Sequence, residues 1–382
     1  MILEQKNWTS SKGWKLERSH TSAAFTPQLV LIFGSRQQLS DKGLLKDIKG
    51  MYPSAQLMGC TTSGEILGTS VQDDSIALTA IEFEKTRIKY SYFNVNSADD
   101  SFHAAEELAS SLIEDDLKHV FVLSDGLNVN GTELVSGFRK ALPSSVSVTG
   151  GLAGDGADFI ETYIIGPDGS SSSHGISAVG LYGDDIEIGY GSFGGWDSFG
   201  IDRQISKSKG NVLYEIDGSP ALQLYKSFLG EKASELPGSG LLFPLSLRTE
   251  EDQMPVVRTI LSVNEEEQSI TFAGDMPEGA YVKFMKANID RLINGAIKAA
   301  EASQNGNSPM ISPELSILIS CVGRKLVLKQ LVEEEVEAAK DILGKNTAIT
   351  GFYSYGEISP FSSGAQCELH NQTMTITTLS ER

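Results

Sequence analysis

Apolar residues along this chain fall in two rhythms, short continuous runs and stripes at helical spacing, and together they mark out a unit that recurs three times. Leu29-Val30-Leu31-Ile32-Phe33 is the first run, of the kind buried on both faces of a parallel sheet. Ser40 and Asp41 can cap the helix that follows, and its Leu44, Leu45, Ile48 and Met51 share one face. Pro53 forbids simple continuation, and Gln56-Leu57-Met58 then leads into a turn at Gly59. The second unit has the strand Val120-Phe121-Val122-Leu123, a stripe of Leu134, Val135, Phe138, Ala141 and Leu142, and Val146-Ser147-Val148 running into Gly150. The third is longer: Leu315 to Ile319, one stripe from Leu328 through Leu331 and Val336 to Leu343, Gly344 as C-cap, and Ala348-Ile349-Thr350 before Gly351. Phe33 to Gly59 and Ser124 to Gly150 both span 26 positions (59 − 33 and 150 − 124).

A phrase closes two of these units. Gly59-Cys60-Thr61-Thr62-Ser63-Gly64-Glu65-Ile66 returns as Gly351-Phe352-Tyr353-Ser354-Tyr355-Gly356-Glu357-Ile358, with a looser relative at Gly150-Gly151-Leu152-Ala153-Gly154-Asp155. Repetition of this kind sets the fold before any single residue is interpreted. Antiparallel-looking strands lie between the units: 75–83, 88–93, 159–165, 176–182 and 186–190, with a hairpin of 256–263 and 269–272. The pattern predicts two more helices, near 102–117 and 282–302, and loops at 304–313 and around the Ser170–Ser173 tract. The class is therefore α/β (mixed α+β), built of repeated strand-helix-strand units with mixed parallel and antiparallel sheets.

Charge narrows the function. The 382 residues carry a formal net charge of −19, a field that repels nucleic-acid backbones and anionic lipid. Three cysteines, Cys60, Cys321 and Cys367, are too few and too scattered for a disulfide framework or a paired zinc site. Polar and charged residues occupy the first positions where a signal peptide needs an apolar core. No apolar run approaches the ~20 residues that span a bilayer. A reducing cytoplasm is the expected location.

Ligands of open α/β sheets collect beyond the carboxyl ends of parallel strands. Those ends carry Gly34-Ser35-Arg36, Ser124-Asp125-Gly126 and Ser320-Cys321-Val322-Gly323-Arg324. From the second strands come Cys60, Thr61 and Thr62, Gly151 with Asp155, and Tyr353, Tyr355 and Glu357. Arg324 could clamp a carboxylate in bidentate fashion. Glu65 and Glu357 could bind an amine or hold a neighbouring loop by accepting backbone N–H bonds. Tyr353 and Tyr355, two apart on an extended segment, are expected to point the same way, into a pocket or into the core. Cys60 and Cys321 lie at strand ends that could approach each other, but a nucleophilic thiol needs a base beside it, and the sequence places none there. No phosphate loop, nucleophile elbow or zinc-protease motif occurs.

At these residues the chain resembles the FIST family of intracellular signal-transduction sensors. The resemblance runs from Leu29–Ile66 and Gly150–Asp155 through Gly210–Ala221 to Ser320–Arg324, Gly351–Pro360 and His370–Thr373. It implies two pseudo-related domains, FIST N-terminal over 27–219 and FIST C-terminal over 220–364, after an N-terminal segment (1–26) and before a strand (365–382) that completes the fold. It also implies a module that binds a small ligand, an amino acid-like metabolite, and passes its state to a partner such as a histidine kinase. Some family members of this length look like haem-binding nitric-oxide sensors; here His174 or His370 would be the axial ligand. No output region is recognisable after residue 360, so a stand-alone sensor, acting through a separate protein or as a homo-oligomer, is the expectation. A cysteine-dependent enzyme and a ligand-free interaction protein are the alternatives.

Overall fold

A computed structural model describes residues 1–19, 24–249, 255–304, 313–361 and 364–382. His20 and nearly all of the loop expected over 304–313 lie outside them. The expected mixed α/β class is what folds, and the three units form three structurally equivalent sheets. In each, a first strand pairs in parallel with a second: Leu29–Gly34 with Gln56–Thr61, Leu117–Ser124 with Ser147–Leu152, and Leu315–Cys321 with Ala348–Ser354. A return strand lies antiparallel on the other side of the first: Ser75–Glu82, Gly175–Tyr182 and Met374–Glu381. Beyond it runs a strand that precedes the unit in sequence: Ile2–Thr9, itself flanked by Gly13–Arg18, and the edge strands Arg87–Asn94 and Ile186–Phe193.

The outer side of each second strand is covered by a strand from a different repeat. Glu65–Leu67 of the first repeat pairs with Ala348–Ser354 of the third. Gly356–Pro360 of the third pairs with Ser147–Leu152 of the second. Ile164–Ile165 of the second pairs with Gln56–Thr61 of the first, through Ile164 and Cys60. The exchange is cyclic, and equivalent backbone bonds seal it: Ser63 N–H to the Tyr353 carbonyl (2.8 Å), Gly154 N–H to Thr61 (2.9 Å) and Tyr355 N–H to Leu152 (3.3 Å). The glycine opening each phrase has a reason in this pairing. A Cβ on Gly59, Gly150 or Gly351 would fall on the carbonyl oxygen of Ile32, Val122 or Leu318 in the adjacent first strand.

Alternation along the first strands sorts their side chains into two layers. Leu31 and Phe33, Phe121 and Leu123, Ile317 and Ile319 face one shared central core, where the Phe33 and Phe352 rings sit 4.8 Å apart. The intervening residues face outward, beneath each repeat's own helices. Val30 and Ile32 meet Leu44, Leu45 and Ile48 of Lys42–Met51. Val120 and Val122 meet Leu134 and Phe138 of Gly131–Ala141 and Leu108 of Ser101–Leu112. Leu318 meets Val336 of Val332–Leu343 and Ala296 of Ile289–Gln304. Each fully buried aliphatic or Phe side chain contributes about 1.5–3 kcal/mol, so the shared core binds the three repeats into one body. Asp41 and Asn130 cap equivalent helices, each accepting two backbone N–H bonds.

Several expectations are corrected. Residues 281–287 form a strand, and the helix begins only at Ile289. The single stripe expected over 328–343 is two helices, Val322–Leu328 and Val332–Leu343, parted by a 3-10 turn at Lys329–Leu331. Only Ile164–Ile165 of the expected 159–165 strand pairs. The first 18 residues, read as a plain leading segment, form a hairpin of Ile2–Thr9 and Gly13–Arg18 that supplies the first repeat's edge. The described residues between Trp196 and Ala287 build a satellite of antiparallel strands with the α-helix Ala221–Leu229 around its own core, inserted between the third repeat's edge strand and its helix.

Candidate functional site

The two glutamates of the repeated phrase are buried clasps. Glu65 accepts from the Thr62 hydroxyl on one oxygen, and from the Ser75 N–H (3.2 Å) and hydroxyl (2.7 Å) on the other. Glu357 does the same with the Ser354 hydroxyl (2.7 Å) and with the Thr373 N–H (3.1 Å) and hydroxyl (2.9 Å). Each therefore ties the start of its donated strand to the start of its own return strand, the loop-holding role. Burial, opposed by these hydrogen bonds, pushes Glu65 up to about 7 and Glu357 up to about 8. In the second repeat the return strand is tied differently: Asp125, at the end of the first strand, accepts from the His174 N–H at 2.8 Å.

Arg324 is not free to clamp a ligand. It is fully buried against Glu335 (2.6 Å) and also donates to the Leu292 carbonyl (2.7 Å) and the Gly194 carbonyl (3.2 Å). Glu335 in turn accepts from Tyr353 (2.6 Å) and Ser320 (3.1 Å). Tyr353 and Tyr355 do not point the same way. Tyr353 lies under the third repeat's helices, whereas Tyr355, just past the strand end, enters the second repeat's core and donates to Asp155 while stacking on Phe159 at 4.7 Å. Gly151 is closed in between Ile319 and Gly356. Thr61 accepts from the Tyr163 N–H at 3.0 Å. Cys60 and Cys321 sit in separate cores, and burial pushes both thiols well above their ordinary range. Cys367 is pushed up to about 12 by burial. None of the three is poised as a nucleophile.

What the structure does bring together is Thr62 with Asp155. They line a cleft of about 380 Å³ beyond the carboxyl ends of the first repeat's strands. One wall is the Ser35–Arg36 strand end, the floor is the Thr62–Glu65 turn, and the facing wall is the second repeat's Asp155–Tyr163 loop. Asp155 shapes that loop by accepting the N–H groups of Phe159, Ile160 and Glu161 at 2.9–3.0 Å. Arg36 crosses the cleft to Asp155 (2.8 Å) and Asp158 (3.3 Å). Six acidic side chains (Glu65, Asp73, Asp74, Asp155, Asp158 and Glu161) line the cleft; Arg36 pairs with Asp155 and Asp158, Lys325 pairs with Asp73, and burial raises Glu65. The Ser35 hydroxyl, enclosed by protein, has no hydrogen-bond partner among the described residues. Ser35, Arg36, Thr62, Glu65 and Asp155 were named from sequence, whereas Asp73, Asp74, Asp158 and Glu161 were not. The signal was present in the acid pairs at Asp73-Asp74 and between Asp155 and Glu161, which cluster only once the loops meet.

His370 does not suit haem. His370 is buried, with Nε2 at 2.8 Å from the Ser359 carbonyl and its ring edge-on to Phe361, and burial lowers it to about 4. His174 is fixed in a left-handed backbone position at φ 65° by its bond to Asp125. Neither lines the cleft. No group of three or more potential metal-ligating side chains occurs among the described residues, and no described helix is long and apolar enough to cross a membrane.

Three interlocked α/β repeats, carrying a polar cleft where two of them meet, define the class. The chain belongs to the FIST family: residues 28–219 match the FIST N domain and residues 221–360 the FIST C domain. FIST domains are signal-transduction sensor domains. The two matches divide the third repeat, leaving its edge strand in the first match and its return strand beyond the second. An uncharacterised protein of Methanocaldococcus jannaschii is 24% identical over 323 residues, 79% of this chain and 60% of that protein. The chain thus spans about three-fifths of that relative's length. Among solved structures, the cyanuric acid hydrolase from A. caulinodans aligns over 94% of this chain and 90% of its own, at 8% identity and a TM-score of 0.36. A likeness at that level carries no inference for this chain.

Proposed function

We propose that this FIST protein is a sensor whose ligand is a small cationic metabolite, an amine or amino acid-like molecule, received in the cleft between the first and second repeats. The observation that carries this reading is the lining: six acidic side chains, three of them paired with Arg36 or Lys325, around about 380 Å³ at the strand ends where two repeats meet. Asp155 and Asp158 pair with Arg36, Asp73 pairs with Lys325, and Glu65 holds a loop, which leaves Asp74 and Glu161, the latter accepting from the Tyr163 hydroxyl, to meet an ammonium group. A ligand touching both walls favours whichever arrangement of the loops it binds better. Its state is then read by a separate signalling partner, a histidine kinase being one fitting class, in a cytoplasmic setting.

The test is a thermal-shift screen of amines and amino acids on the intact chain. A true ligand at a hundredfold excess over its dissociation constant stabilises by about 2.7 kcal/mol. Asp74→Asn with Glu161→Gln should abolish that gain without lowering the melting temperature of the free protein. A library without any stabilising amine, or a gain that survives both substitutions, would overturn the reading.

A further inference from the structure

A second cleft, of about 470 Å³, shares no lining residue with the first and has the opposite electrical character. The donated hairpin of the first repeat runs between them: Glu65 borders the acidic cleft, whereas Leu67 to Ser70 border this one. The other walls are the Gly13–Arg18 arm of the N-terminal hairpin and the start of the third repeat's second strand at Ala348. In a chain of net charge −19, its lining brings together Lys15, Arg18 and Lys340 against Glu17 alone. Lys15 and Glu17 pair with each other at 2.9 Å in an exposed position, which neutralises both.

Arg18 and Lys340 remain. The Arg18 Nη1 donates to the Asn346 carbonyl at 3.0 Å, and Lys340 Nζ donates to the carbonyl of the next residue, Thr347. Two cations are thereby fixed side by side on consecutive carbonyls. Neither has an ion-pair partner among the described residues. The carboxylate tied to the cleft wall, Glu333, is engaged by the Ser70 hydroxyl (3.2 Å) and the Val71 N–H (3.0 Å). Partial burial and the nearby Arg18 charge both lower the proton affinity of Lys340. Here two like charges are held together by backbone acceptors. A guanidinium carries five donors and an ammonium three, and one of each is accounted for by the carbonyls.

We propose that this cleft is a second ligand site, one that takes the phosphate dianion of a small phosphorylated metabolite, with Arg18 gripping two oxygens and Lys340 a third. A dianion matches two adjacent cations in charge, and Arg18 supplies the planar fork that phosphate oxygens fit. Such a ligand would bridge the first repeat's N-terminal hairpin to the third repeat. It would also press on the far end of the hairpin whose near end borders the acidic cleft.

The experiment is a titration of the full chain with inorganic phosphate and glycerol phosphate at constant ionic strength, followed by calorimetry and by the NMR shift of the Lys340 ammonium. Saturable binding is expected, together with a rise in the Lys340 pKa on binding. Arg18→Gln and Lys340→Gln should each weaken binding by about tenfold or more, Lys340→Arg should retain most of it, and the exposed Lys298→Gln should change nothing. Urea midpoints of the variants confirm that they are folded. Non-saturable binding, equal affinity in the Arg18→Gln and Lys340→Gln variants, or tighter binding of malonate than of phosphate would each overturn the assignment.

Discussion

Replacing the two clasp glutamates by glutamine tests the central feature of the fold. Both carboxyls are raised by burial, Glu65 to about 7 and Glu357 to about 8, from an ordinary 4.5. The folded state therefore holds protons that the unfolded chain releases. Their contribution is complete below about pH 4.5 and is lost as pH climbs through about 7 and about 8. At 1.36 kcal/mol per pH unit these displacements correspond to about 3 and about 5 kcal/mol. The hydrogen bonds show why an amide can replace the protonated acid. One oxygen of each carboxyl takes two donors, from Ser75 or Thr373, and the other faces a single hydroxyl, Thr62 or Ser354, that can turn and accept. A glutamine keeps the first contact with its oxygen and the second with its NH2. The urea midpoint of the native chain should fall steadily between about pH 5 and about pH 9, while the Glu65→Gln/Glu357→Gln chain falls by several kcal/mol less. At the alkaline end the variant should be the more stable of the two. Identical slopes in the two chains, or a variant that is weaker at every pH, would refute the account of the clasps as protonated acids.

Gly150→Ala and Gly351→Ala, whose added carbon falls on the Val122 and Leu318 carbonyls, should each cost about 3 kcal/mol or more; a melting temperature within a degree or two of the native one would argue against the close strand approach. Arg324→Met should destabilise by about 3–5 kcal/mol by leaving Glu335 charged and buried, and adding Glu335→Leu should recover much of that in the same melt. Residues 1–219 expressed alone should be insoluble or unfolded by circular dichroism, because their sheets need Gly356–Pro360 and Met374–Glu381; co-expression with residues 220–382 should yield a co-purifying pair. Iodoacetamide should label Cys60, Cys321 and Cys367, all buried, only when urea has opened the chain, and rapid labelling of the folded protein would revive a reactive-thiol reading.

The repeats were legible because buried parallel strands leave continuous apolar runs and their helices leave stripes, signals that survive without knowledge of partners. The loop-holding role of Glu65 and Glu357 was legible for a similar reason, since the same residue at the same place in two turns argues for a shared backbone task. The cyclic exchange of strands was not. Glu65–Leu67, Ile164–Ile165 and Gly356–Pro360 are too short to announce a partner, and that partner lies up to hundreds of residues away. Arg324 misled because a charge shortly after a strand end suggests solvent, and its buried acceptor, Glu335, lies on a helix whose inward face could not be told from its outward one by charge alone. The Ile2–Thr9 strand was hidden by its mixed polar pattern: Gln5 and Asn7 are buried only because Thr79, Ile349 and Gln72 receive them. The acidic cleft escaped because its walls come from separate repeats.

The ring of repeats is not fastened evenly. Where the first repeat reaches into the third, and where the third reaches into the second, a buried glutamate anchors the crossing segment at its root. The crossing from the second repeat into the first has no such anchor. Asp125 secures the return strand there, and the approach to Ile164 is a longer excursion through Asp155 to Tyr163. That excursion is also the wall of the acidic cleft. Approximate three-fold symmetry thus acts as an internal control within one polypeptide: two junctions show what closure looks like when nothing else is asked of it. The third shows where closure was relaxed, and motion of the chain in response to a bound molecule should be sought first at that junction.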